Sequence, residues 1–167
     1  NISKKKLAEE AIFIEQKVLR ENVGSQDQIS TSFGGFNIIK FKKNNFSVNQ
    51  IKMTNNLLNE LNKNLVLCYS GIPRIANDIV KNYIRKLSSN QLQNVMKETF
   101  DLVNSGNSLL KKGNLDEFGK LLNVSWHLKK SLHSTVSNTK LDNFYNQAIS
   151  NGALGGKLLG AGGGGFF

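Results

Sequence analysis

The stretch Gly24-Ser25-Gln26-Asp27-Gln28, followed at a short distance by Gly34-Gly35, decides how the chain is read. Ser25 and Gln28 have the S-x-x-Q spacing of a capping box, in which the serine side chain bonds a free backbone N–H and the glutamine reaches back. Gly24 makes the turn, and Asp27 then falls in the first helical turn. Unpaired N–H groups and the positive end of the helix dipole favour a carboxylate's charge there and fix its direction. Asp27 is either a complement to the dipole or a charged acid aimed at a substrate hydroxyl.

Upstream, Ser3 to Arg20 reads as a helix with Leu7, Ala8, Ala11, Ile12, Ile14, Val18 and Leu19 on one stripe. Glu15 falls in the middle of that stripe. A bare buried charge is too costly, so Glu15 is paired with a lysine, bound to a metal or set at the stripe's open edge. Asp27 follows twelve residues later, and the pair could converge on one cleft.

Downstream, the pattern changes to alternation. Phe36 to Phe41 and Phe46 to Ile51 read as two strands joined by a turn around Lys43-Asn44-Asn45. The polar stretch from Thr54 to Lys63 is the expected domain boundary, and the apolar run Asn64 to Ser70 is the expected buried central strand. Ser70-Gly71-Ile72-Pro73-Arg74 turns into a helix carrying Ile75, Ile79, Tyr83 and Leu87. Three further helices are expected over Ser89–Lys112, Asn114–Leu132 and Thr139–Ser150, with Asn114 and Glu117 as a second capping pair. Leu92, Val95, Met96, Phe100, Val103, Leu121, Leu122, Trp126, Leu141, Phe144 and Ala148 are their expected core residues.

The sequence ends in Gly152-Ala153-Leu154-Gly155-Gly156-Lys157-Leu158-Leu159-Gly160-Ala161-Gly162-Gly163-Gly164-Gly165-Phe166-Phe167, which holds eight of the 15 glycines. Consecutive glycines let the backbone approach a ligand and can aim N–H groups into an anion-binding nest. A flexible tail is the competing reading. The strand-like Ala153–Leu159 and the paired phenylalanines argue against it, because a solvated linker lacks both.

Composition narrows the classes. The chain has 167 residues, 39% of them hydrophobic, enough for one ordinary domain or slightly more. No apolar run approaches the roughly 20 residues of a membrane span, and no signal peptide opens the sequence. A cytoplasmic location is therefore expected, without a membrane partner. Cys68 is the sole cysteine and the two histidines lie six apart, so neither a disulfide nor a zinc site is expected. The net charge of +10 is spread over separate lysine clusters with few interleaved aromatics, which argues against a nucleic-acid partner.

With both motifs in view, the chain resembles the GHMP small-molecule kinases, and within them the heptose 7-phosphate kinase branch. The residues that carry the resemblance are Glu15, Gly24 to Gln28 with Gly34-Gly35-Phe36-Asn37, and Tyr69-Ser70-Gly71 with Arg74. They continue through Trp126 with Lys129-Lys130, Val136-Ser137-Asn138 with Leu141-Asp142, and Gly152 to Phe166. The resemblance implies an α+β fold: residues 1–55 as the end of an N-terminal, ATP-binding mixed domain, and 56–167 as a C-terminal domain of helices packed on a small antiparallel sheet.

It also implies an enzyme that transfers the γ-phosphoryl of ATP to the anomeric hydroxyl of D-glycero-D-manno-heptose 7-phosphate. The product is a 1,7-bisphosphate on the route to nucleotide-activated heptose for surface polysaccharides. Asp27 matches the catalytic aspartate and Glu15 the acid that helps hold Mg²⁺. Gly160, Ala161, Gly162, Gly163 and Gly164 match the glycine loop that supports the nucleotide phosphates. Gly34, Gly35, Arg74, Lys129 and Lys130 are the substrate-side candidates, the cations being suited to the sugar's existing phosphate. Phosphoryl transfer depends on positioning and charge neutralisation more than on a strong base, which suits such a set.

Two family motifs have no counterpart here: the one near the N-terminus that helps bind the sugar, and the phosphate loop P-x-G-x-G-L-G-S-S. The expectation is a piece of a longer kinase, inactive in isolation. A fucose- or galactose-type kinase is the alternative within the family, and a non-catalytic binding module the alternative outside it.

Overall fold

The computed structural model describes residues 2–43, 45–73 and 92–167. The chain divides into two compact units, Asn1–Lys52 and Met53–Phe167. The helix expected from Ile75 to Leu87, and Arg74 before it, lie outside the described residues.

In the first unit, α1 (Lys4–Phe13) starts at Ser3, whose Oγ accepts the Lys6 N–H at 3.2 Å. The expected helix to Arg20 does not stay regular: Ile14–Val18 is a π turn, closed by the Leu19 N–H on the Ile14 carbonyl at 2.8 Å. α2 (Gln26–Phe33) packs against α1, with Ala8 and Ile29 fully buried between them. Each such burial of a side chain the size of Ile29 stabilises by about 1.5–3 kcal/mol. The expected apolar stripe is only partly realised. Leu7, Ile14, Val18 and Leu19 are exposed, because the π turn breaks the 3.6-residue period that would align them and α2 covers only one side of α1.

β1 (Asn37–Lys42) and β2 (Asn45–Gln50) form an antiparallel hairpin pairing Ile39 with Val48 and Phe41 with Phe46. The Phe46 ring meets Phe33 of α2 edge to face at 6.2 Å. Lys4 of α1 donates to the Phe33 carbonyl at 2.7 Å, satisfying one of the carbonyls left open where α2 ends.

The second unit opens with α3 (Asn55–Asn64), whose N-cap Thr54 accepts the Leu57 N–H at 3.3 Å. The polar stretch expected as a boundary is thus an amphipathic helix that buries Leu61. The expected central strand also differs. Asn64 ends α3, Leu65, Val66 and Leu67 are exposed, and only Cys68 to Ile72 runs beside another segment. An apolar run signals burial only if neighbours cover both faces, and among the described residues Val66 and Leu67 have none that do.

α4 (Gln93–Lys112) ends at left-handed Gly113 and packs against α5 (Leu115–Ser131); a short 3₁₀ turn (Ser134–Val136) and α6 (Thr139–Ser150) follow. Asn114 occupies the N-cap position of α5 but makes no side-chain cap, while Glu117 pairs with Lys120 at 2.7 Å. Trp126, Val136, Leu141, Tyr145 and Leu158 form the core, with Ile72, Leu132 and Phe167 packed against it. Met96, Phe100, Val103 and Ala148, expected inside, are exposed. The small antiparallel arrangement here is made of backbone pairs rather than full strands. Cys68 and Phe167 exchange two bonds of 2.9 Å, Ser70 N–H reaches the Gly165 carbonyl at 2.9 Å, and Leu159 N–H the Phe166 carbonyl at 2.8 Å.

Candidate functional site

Asp27 lies in the first turn of α2, as the sequence predicts, and is solvent-exposed. The expected capping box around it does not form. The Ser25 backbone is near-helical (φ −105°, ψ 2°) and makes no side-chain cap. Its Oγ instead accepts from the Gln16 amide at 3.2 Å, and Gln16 also donates to the Val23 carbonyl at 3.0 Å. Gln28 likewise turns backwards: it is 8% exposed and its Nε2 donates to Glu15 Oε2. Both intended capping residues are therefore engaged by neighbours, Glu15 and Gln16, on the π turn. That turn places the two side chains toward α2, and the tie joins Glu15, expected to help hold a metal, with the residue next to Asp27, expected to be catalytic.

Glu15 is half-buried and pairs with an amide rather than a lysine. An ionised carboxylate only accepts, so the bond fixes the Gln28 amide with nitrogen toward Glu15 and leaves its buried Oε1 without a hydrogen-bond partner. No group of three or more His, Cys, Asp or Glu side chains is placed to hold a metal among the described residues. A single carboxylate is nonetheless compatible with Mg²⁺, which is commonly held by one or two carboxylates plus substrate phosphates.

Gly34 and Gly35 adopt φ of 64° and 76°, so glycine is required there by backbone conformation. Asn37 secures the turn by donating to the Gly34 carbonyl at 2.8 Å and the Gly35 carbonyl at 3.3 Å.

In the second unit the glycine loop is packed down rather than trailing as a tail. Gly163 N–H bonds the Val136 carbonyl at 2.8 Å and Gly165 N–H the Ile72 carbonyl at 2.9 Å. A Cβ on Gly162 would stand 2.9 Å from the Val136 oxygen, and one on Gly164 2.5 Å from the Ile72 oxygen. Gly160, Gly162, Gly163 and Gly165 all have positive φ. Such a backbone, almost free of side chains and held on its supports, is of the kind that can receive an anion on unpaired N–H groups.

The substrate-side lysines have internal partners. Lys130 pairs with Asp142 at 3.1 Å and lies 5.6 Å above the Trp126 ring, while Ser137 Oγ donates to the same carboxylate oxygen at 2.9 Å. Lys129 donates to the Leu158 carbonyl at 2.6 Å and to the Gly160 carbonyl. Sequence reasoning did not find Gln16, Gln28, Val136 or Ile72 as supports.

Residues 107–167 match the family model described as GHMP kinases C terminal. The chain is 34% identical over 161 residues to a D-glycero-alpha-D-manno-heptose 7-phosphate kinase of Campylobacter jejuni, covering 96% of the chain and 48% of that protein. It is 28% identical over 165 residues to a bifunctional fucokinase/GDP-fucose pyrophosphorylase of Arabidopsis thaliana, covering 93% of the chain and 15% of the relative. The chain thus spans about half the length of the first of these relatives and less of the second. Among solved structures, a mevalonate kinase of L. major in complex with R-mevalonate superposes with a TM-score of 0.73 at 21% identity, over 99% of this chain and 49% of that one. A D-glycero-D-manno-heptose 1-phosphate kinase of Bacteroides thetaiotaomicron gives 0.65 at 24% identity, over 99% and 44%. These two likenesses bear on the fold, which is the α+β GHMP kinase fold expected from the sequence. The family match over residues 107–167 and the sequence relatives make this chain similar to the GHMP kinases.

Proposed function

We propose that the protein acts as an ATP-dependent sugar kinase that phosphorylates the anomeric hydroxyl of a heptose already carrying a phosphate at position 7. The observation that carries this reading is the tie between Gln28 and Glu15 beside Asp27, because it supports the motif residues with a buried polar contact. The 34% identity to a heptose 7-phosphate kinase supports the choice of sugar.

In this reading Asp27 faces the acceptor hydroxyl and accepts its proton or stabilises the charge that develops on oxygen. Its carboxylate has no hydrogen-bond or ion-pair partner among the described residues. Glu15 holds Mg²⁺, which when bound neutralises charge on the transferring phosphoryl. Residues 160–164 support the nucleotide phosphates, and residues 1–55 and 56–167 are the end of the ATP-binding domain and the C-terminal domain. The test is a phosphoryl-transfer assay of the full-length protein with ATP and paired heptoses, phosphorylated and unphosphorylated, with the product position read by NMR. Transfer only to the 7-phosphorylated sugar supports the reading, and no transfer to either overturns it.

A second reading, a fucose-type kinase, has the fucokinase relatives in its favour. Turnover of L-fucose in the same assay, with none of the heptose phosphate, would select it.

A further inference from the structure

Lys129 stands in the last turn of α5, where a lysine ordinarily complements the carbonyls and dipole of its own helix. Here it also reaches across 29 and 31 residues of sequence to the carbonyls of Leu158 and Gly160, on either side of Leu159. All described peptide bonds are trans, so each carbonyl drawn toward the ammonium turns the N–H of the same peptide the opposite way. For the Leu158 peptide the consequence is visible: the Leu159 N–H points to the Phe166 carbonyl at 2.8 Å. For the Gly160 peptide the N–H belongs to Ala161, and it has no acceptor among the described residues.

The loop is therefore held at three places, by Lys129 at its start, by Val136 at Gly163 and by Ile72 at Gly165. Between the first two, the Ala161 and Gly162 N–H groups have no acceptor among the described residues, and half-buried Ala161 is the one whose peptide carries the carbonyl that Lys129 holds. We infer that Lys129 is a positioning residue for this loop: its charge fixes the Gly160–Ala161 peptide so that the Ala161 N–H is presented to an anionic oxygen of the nucleotide. The inference rests on the reading of residues 160–164 as the nucleotide-phosphate support, and it gives Lys129 a role other than holding the sugar's phosphate. A glycine at 160 with φ of 64° turns easily, so a fixed peptide orientation needs an external anchor. An ammonium with three donors can serve two carbonyls at once.

The test uses the full-length protein with K129M and K129R, and two readouts. The first is amide hydrogen exchange of the peptide covering residues 158–165, with α5 and α6 as internal references. The second is the split between KM for ATP and KM for the sugar phosphate. K129M is expected to speed exchange in the loop alone and to raise KM for ATP by about tenfold, the loss of roughly one charge-assisted hydrogen bond, leaving the sugar phosphate's KM unchanged. K129R, which keeps the charge, should recover much of both effects. If K129M fails to fold, K129Q and K129R carry the same comparison.

A rise in the sugar phosphate's KM with ATP unaffected would overturn the inference and make Lys129 a substrate cation. Unchanged loop exchange in a folded K129M would overturn it as well. Failure of the wild-type protein to bind ATP would instead remove the kinase reading, and the exchange data would still decide whether Lys129 holds the loop.

Discussion

Gln28 of α2 donates its side-chain amide to the carboxylate of Glu15 on the preceding π turn, and the contact is almost entirely buried on the glutamine side. The N-terminal motif is therefore fastened by a side-chain bond between two helices rather than by a cap at the start of one.

Replacing that amide by an acid should expose the relationship. Q28E sets a second carboxylate against Glu15, and like charges this close raise the pKa of one of them above the unfolded value. The repulsion is then present at neutral pH and relieved as pH falls through the raised folded-state value. The Tm deficit of Q28E against wild type should be largest near pH 7 and shrink toward pH 5, measured by calorimetry. A deficit independent of pH would mean that Glu15 and residue 28 do not interact.

Asp27→Asn keeps the shape and removes the charge. In the full-length protein we expect turnover to drop by about 10²-fold or more, the usual span for removing a general base, with ATP affinity within twofold. Unchanged turnover would take Asp27 out of the chemistry. Equal losses in turnover and ATP affinity would point to a folding defect.

Two glycines that face α5 should respond oppositely to alanine. At Gly106 in α4 a Cβ meets Phe118 at an ordinary 3.5 Å, so G106A should stabilise by about 0.5–1 kcal/mol through helix propensity. At Gly155 a Cβ would stand 2.1 Å from the Gly119 oxygen and 2.6 Å from the Asn123 nitrogen. Those atoms belong to the helix backbone and cannot step aside, so G155A should cost at least ~3 kcal/mol, the upper end for overpacking. Urea unfolding followed by the fluorescence of buried Trp126 measures both in the same unit.

Lys157 is partly buried beside the core, and desolvation lowers its pKa from the usual lysine value. Its folded pKa lies below the unfolded one, so the unfolded chain binds more protons between the two and stability rises with pH across that window. K157M should therefore raise Tm at pH 7. The gain should narrow as pH climbs through the window below 10.5 in which the native lysine sheds its proton. A gain that grows with pH would contradict the sign.

Much of this fold was legible because its signals are local. The alternation at residues 36–51 gave the hairpin within one residue at each end, and α6 has the expected limits Thr139–Ser150. What failed depended on distant partners. Val66 and Leu67 carry strand-like side chains but lack neighbours, and the stripe on α1 was read on a regular helix that the π turn interrupts. The motif letters located Asp27 at a helix start and residues 160–165 as a packed loop. They could not show that Ser25 and Gln28 spend their side chains on Gln16 and Glu15, because a cap and a bridge use the same residue types.

The π turn at Ile14–Val18 also makes this part of the chain sensitive to length rather than to composition. Removing one residue there would restore regular winding and rotate everything beyond it by about 100°. Glu15 and Gln16 could then no longer meet Gln28 and Ser25 together. Point changes on the outer surface of that segment should pass without effect, while a single-codon deletion should disconnect the two helices.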